Sequence, residues 1–114
     1  MPYIDVKLSK NIDSQKKIAL KSKLGELISV FPGKSENWLM CNIEFDKDIY
    51  FQGNNSQPSA FVEVKLFGSI NKSGADSFTA ELCSYLENSI GIPSSRIYIR
   101  YSCGTDWGWN GNNF

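Results

Sequence analysis

The sequence predicts an α/β domain (α+β in layer terms) made of two pseudo-symmetric β-α-β repeats. Its four strands form one mixed sheet, with two helices on one face. Three observations carry this. The chain matches itself when shifted by 58 residues: Val6-Lys7-Leu8 falls on Val64-Lys65-Leu66, Asp5 on Glu63, Leu24 on Leu82 and Gly33 on Gly91. The apolar set Leu20, Leu24, Leu27, Ile28 falls on Phe78, Leu82, Tyr85, Leu86, and each set follows i, i+4, i+7, i+8, one stripe along an α-helix. Strand-like segments flank both stripes, and a right-handed helical crossover makes each flanking pair parallel.

In chain order, residues 3–8 form the first strand. The first helix has cap candidates at Asp13 and Ser14 and stops at Pro32-Gly33, where proline cannot continue a helix and glycine accepts the left-handed turn. Residues 39–45 give the second strand. Ile49-Tyr50-Phe51 suggests a short extra strand ahead of a turn-rich connector running to Pro58. Residues 60–67 give the next strand, the second helix starts between Ser73 and Asp76 and stops at Gly91, and residues 96–101 close the sheet. One domain spans 1–114: repeat one about 2–45, repeat two about 60–101, and a tail, 102–114, too short to fold alone. The sheet face away from the helices is expected to carry aromatics and aliphatics, an apolar patch that self-association would cover.

Composition narrows function. Twelve Lys+Arg balance 12 Asp+Glu, so the basic footprint of a nucleic-acid binder is missing. There is no histidine, which removes Ser-His-Asp and Cys-His catalysis, imidazole metal sites and the commonest neutral-pH base. Cys41, Cys83 and Cys103 are odd in number and lack Cys-x-x-Cys spacing, as expected of reduced thiols. Asn54-Asn55-Ser56 and Asn71-Lys72-Ser73 match the glycosylation pattern by chance, since the N-terminus lacks a signal-like apolar run. No stretch is long enough to span a membrane, so a soluble cytoplasmic protein is expected, with non-classical secretion the remaining exit. Glu44, Asp46 and Asp48 offer too few converging oxygens for a calcium or magnesium site. Lys16, Lys17, Lys21 and Lys23 form a solvated helix face.

A proline directly after Met1, the two repeats, Gly33-Lys34 behind the first helix, Arg96-Ile97-Tyr98-Ile99 in the last strand, and a Trp107-Gly108-Trp109-Asn110-Gly111 tail ending in Phe114 occur together along the whole chain. In that order they resemble the macrophage migration inhibitory factor family of the tautomerase superfamily. The resemblance implies a homotrimer with active sites between subunits, removal of Met1, and Pro2 as the catalytic acid/base of a phenylpyruvate-type tautomerase, with dopachrome tautomerase activity in vitro. It implies further that Lys34 holds a substrate carboxylate and lowers the pKa of Pro2, and that the backbone amide near Phe67 binds the same carboxylate. Tyr98 would enter from a neighbouring subunit, and Tyr3, Trp38, Trp107, Trp109 and Phe114 would form an aromatic wall. No cofactor or metal is called for, and the partner is a small keto or enol acid.

The chemistry behind this is simple. An α-amino group titrates far closer to neutrality than a lysine side chain, and burial beside a cation lowers it further. A neutral prolyl amine can move a proton between carbon and oxygen of a ketone and its enol. Departures from the family matter too. Ser59-Ala60-Phe61-Val62 stands where the cytokine members have Cys-x-x-Cys, so thiol oxidoreductase activity is not expected. Phe67, Trp107 and Arg100 replace smaller or neutral residues, which predicts a narrower, more aromatic pocket with Arg100 as a second anion contact. Two other functions stay open on the sequence: a signalling protein with vestigial catalysis, acting through a receptor, and a decarboxylase or dehalogenase of a small acid.

Overall fold

A computed structural model describes residues 1–114. The first repeat is β1 (Pro2–Leu8), α1 (Ser14–Leu27) and β2 (Met40–Glu44); the second is β3 (Ala60–Phe67), α2 (Lys72–Tyr85) and β4 (Ile97–Gly104). The sheet order is β2-β1-β3-β4. β1 runs parallel to β2 and β3 parallel to β4, while β1 and β3 meet antiparallel at the centre, Pro2 opposite Leu66 and Leu8 opposite Ala60. This mixed sheet relates the repeats by a local twofold between β1 and β3.

Strand alternation decides what each face carries. The even-numbered residues Ile4, Val6 and Leu8 of β1, and Ala60, Val62, Val64 and Leu66 of β3, are buried under the helices. They pack against Leu20, Leu24, Leu27 and Ile28 from the first repeat and Phe78, Leu82 and Leu86 from the second. Those are the stripes predicted by the 3.6-residue period, with only Tyr85 half-buried. Fully burying a side chain of this size is worth about 1.5–3 kcal/mol, so one core joins both repeats. No helix is long and apolar enough to cross a membrane.

The helix ends follow capping chemistry. Asp13 accepts the Lys16 amide at 2.8 Å and starts α1. Asn71 does the same for α2, accepting the Gly74 amide at 2.7 Å, so this helix begins one residue before the predicted window. Beyond α2 the chain makes a five-residue π turn, Leu86–Ile90, and Gly91 at φ +85° ends it.

Three expectations need correcting. Ile49-Tyr50-Phe51 forms no strand; Phe51 and Asn54 instead exchange backbone hydrogen bonds (2.9 and 3.1 Å) around Gln52 and Gly53, both at positive φ, a tight two-residue turn. Arg96 lies before β4, in a 3₁₀ turn, and β4 continues to Gly104, past the predicted end at 101. Arg96 is 7% exposed without a carboxylate partner; its guanidinium donates to Ser59 Oγ (2.9 Å), the Asn54 carbonyl (3.0 Å) and the Pro58 carbonyl (3.1 Å). The third correction concerns the open sheet face. Alternation places Asp5, Lys7, Asn42, Glu44, Glu63, Lys65, Arg100 and Ser102 there among Tyr3, Phe61, Tyr98 and Met40. It is a charged, hydrogen-bonded surface, and an apolar patch supplies no argument for self-association. Asp5, only 6% exposed, is its hub: Lys7 donates to it, as do Asn42 at 2.7 Å and Tyr3 at 3.5 Å. Burial pushes the Asp5 carboxyl up, but these bonds outweigh it and hold its pKa below the ordinary carboxylate range.

Candidate active site

The N-terminus enters the sheet between β2 and β3, so the first residues of β1 sit at a sheet end crossed by two other segments. One is the 3₁₀ turn Glu36–Trp38 that leads into β2. The other is the tail, which folds as a hairpin of β5 (Gly108–Trp109) and β6 (Asn112–Asn113), with Asn110 and Gly111 at φ 52° and 83° in its turn. Trp38 and Trp109 meet edge to face, centroids 5.3 Å apart, and join the two segments. Between them lies a cleft of about 500 Å³ with Pro2 and Tyr3 at its base and Trp38, Met40, Trp107 and Trp109 around it. The size suits a small organic acid.

Pro2, Tyr3, Trp38, Trp107 and Trp109, all predicted site residues, share this cleft. Lys34, Phe67 and Phe114 form a second cluster at the same end. Lys34 follows Gly33, whose φ of +77° turns the chain after the first helix, and its Nζ donates to the Phe67 carbonyl at 2.9 Å. The Phe67 and Phe114 rings are 5.3 Å apart. Met1 lies between the clusters. Its carbonyl accepts the Phe67 amide at 3.1 Å, and its amine titrates below the ordinary range, first through burial and then through the nearby Lys34 charge.

Tyr98 and Arg100 stand apart. Pro2 is level with Leu66 and Cys103, and Tyr98 is five residues back along β4, about 16 Å at strand rise. It is 61% exposed and rests on Phe51, centroids 5.4 Å apart, which in turn lies beneath the Arg96 guanidinium at 5.3 Å. Arg100 is opposite Glu63 and exposed. Within one subunit neither reaches the cleft. Besides Met1, the lining includes Asn37, Leu39, Met40, Lys65 and Gly108, none of them a predicted site residue. Lys65 pairs with Tyr3 across the central strands, and alternation fixes only its face, not this neighbour.

Glu44 and Asp48, weighed as metal ligands, have other partners: Glu44 takes Asn42 (2.7 Å) and Lys47 (3.2 Å), and Asp48 takes Asn55 (2.9 Å). Cys41 and Cys83 are half-buried, and burial pushes both thiols up, away from the reactive range.

Comparison with known proteins agrees with this architecture. A family model described as macrophage migration inhibitory factor matches residues 1–114. A macrophage migration inhibitory factor homologue of Trichinella spiralis is 30% identical over 95 residues, 82% of each chain. Among solved structures, Leishmania major MIF2 superposes with a TM-score of 0.89 at 32% identity, covering 100% of this chain and 97% of that one. A homologue from Prochlorococcus marinus gives 0.78 at 32% identity, covering 98% of both.

Proposed function

This chain belongs to the macrophage migration inhibitory factor family, within the tautomerase superfamily, and on that premise we propose that it interconverts the keto and enol forms of a phenylpyruvate-like 2-oxo acid, using the Pro2 amine freed by loss of Met1. One observation supports this above others: Met1 occupies each contact the substrate would need. It acylates the Pro2 nitrogen, its carbonyl takes the Phe67 amide, and its amine lies within the influence of Lys34. Removing this one residue exposes a secondary amine, a main-chain donor and a cation together.

In the proposed reaction the substrate carboxylate takes the place of the Met1 carbonyl on the Phe67 amide, with Lys34 beside it. The aromatic part lies among Tyr3, Trp38, Trp107 and Trp109. The neutral prolyl nitrogen takes a proton from the carbon next to the ketone. The electron pair of that C–H bond becomes the C=C of the enol, the C=O π pair moves onto oxygen, and the prolinium returns its proton to that oxygen directly or through water, leaving the amine neutral; the reverse direction returns the proton to carbon. Burial and Lys34, which lower the amine of Met1, would act on Pro2 in the same sense and keep it neutral at working pH. A homotrimer would bring Tyr98 of a neighbour toward the cleft, which fits its exposed position far from the cleft of its own subunit.

The test is steady-state turnover of enol phenylpyruvate by protein of verified N-terminal mass, processed and with Met1 retained. Loss of the prolyl amine should lower kcat/KM by about 10²-fold or more, the usual contribution of a positioned acid/base. Equal activity of the two forms would refute the mechanism.

A further inference from the structure

We propose that Lys65 determines substrate specificity, and that the cleft selects 2-oxo acids carrying a second negative charge on the far end of an aromatic group. This rests on the tautomerase reading for the reaction, but the charge preference comes from other observations. No Asp or Glu lines the cleft, and Lys65 is its one charged side chain. Lys65 has no carboxylate within ion-pair distance, whereas Lys7, Lys21, Lys23, Lys47 and Lys72 each have one. Asp106 lines the adjoining recess, which Lys65 also borders, but lies beyond that distance.

The Lys65 ammonium is also placed, with Nζ over the Tyr3 ring at 5.9 Å. Tyr3 is next to Pro2 and its hydroxyl bonds to Asp5, so the ring under Lys65 is fixed to the strand that carries the reactive nitrogen. Lys34 serves the other end, bonded to Phe67 beside Met1. The two cations therefore belong to different clusters at this end of the sheet, Lys34 with Phe67 at the proposed carboxylate site and Lys65 with Tyr3 among the aromatic walls. Within the same subunit the second anion contact comes from Lys65, since Arg100 is three residues along β4 from the level of the cleft and opposite Glu63.

A matched pair of substrates tests this: enol phenylpyruvate and its 4-carboxy derivative, which share ring and reacting atoms and differ by one charge. For processed wild-type protein, kcat/KM should favour the 4-carboxy acid about fivefold at low salt, and the preference should shrink as salt screens it. Lys65→Gln should abolish the preference, with the loss appearing as a higher KM for the 4-carboxy acid, and Lys65→Arg should retain it. Absence of a preference in the wild type, or its survival in Lys65→Gln, overturns the proposal. A second arm does not depend on turnover: quenching of tryptophan fluorescence by phenylacetate and 4-carboxyphenylacetate. Tighter binding of the dianion, lost in Lys65→Gln, supports the role of Lys65 even if neither ketone is turned over, in which case the tautomerase reading alone fails. Equal binding of both by wild type and variant overturns the role of Lys65.

Discussion

Replacing Arg96 with methionine should be among the most destabilising single changes outside the apolar core. The guanidinium is buried and ties three parts of the chain together: the turn at Asn54, the connector end at Pro58 and Ser59, and the entry to β4. Its bonds to the Phe51 carbonyl and Asn54 Oδ1 are long, both 3.4 Å, and contribute little. Of the three shorter bonds, the Asn54 carbonyl belongs to an exposed residue and can recover water, whereas Ser59 is 2% exposed. Losing the donor to Ser59 Oγ and the Pro58 carbonyl costs about 1–3 kcal/mol each, partly offset by the apolar stem that methionine keeps. We expect a net loss of about 3 kcal/mol and, at roughly 4 °C per kcal/mol for a chain of this length, a Tm lower by about 12 °C. Lysine, lacking the planar fork, should restore less than half. Urea and thermal unfolding measure both variants. An Arg96→Met protein melting within about 3 °C of wild type would mean that these bonds add nothing beyond packing.

Asn71→Ala removes the α2 cap and should cost about 1 kcal/mol by urea denaturation, with unchanged dependence on denaturant concentration. Gly74→Ala should destabilise despite its higher helix propensity, because a Cβ there would lie 3.0 Å from a Phe31 ring carbon and 3.1 Å from the Val30 carbonyl, neither free to retreat; a rise in Tm would contradict this. Asp5 has a folded-state pKa below its unfolded value, so its contribution is present at neutral pH and is lost as pH falls through the depressed value. Asp5→Asn should accordingly be less stable than wild type at pH 7, with the gap closing in acid. A gap that stays constant across that range would remove the electrostatic explanation.

The repeat, both helical stripes and the bounds of β3 were legible because they depend on local periodicity, which burial of one face enforces. Pairing was less accessible. Nothing in the period of residues 2–8 or 60–67 says that these strands meet antiparallel at the centre, and that register alone puts Lys65 beside Tyr3. The open face was misjudged for a related reason: its aromatics are conspicuous in sequence, but alternation mixes them with Asp5, Lys7, Glu63 and Arg100. Arg96 looked like a strand residue because it precedes an alternating run, and a buried arginine held by carbonyls leaves no pattern in composition. At the site, proline, lysine and tryptophans were visible through the family resemblance, whereas the occupation of the Phe67 amide by Met1 is a three-dimensional fact.

In the proposed mechanism a single prolyl amine, kept neutral by burial and by Lys34, carries the reaction. Processed protein labelled with ¹⁵N-proline allows that amine to be titrated by NMR alongside the pH dependence of kcat/KM, with no histidine to titrate in the same range. The Pro2 midpoint should lie below the ordinary range of a prolyl amine and coincide with the acidic limb of the rate profile. Lys34→Ala should move both upward together. An ordinary midpoint, or a rate profile that does not follow the Pro2 titration, would contradict this mechanism.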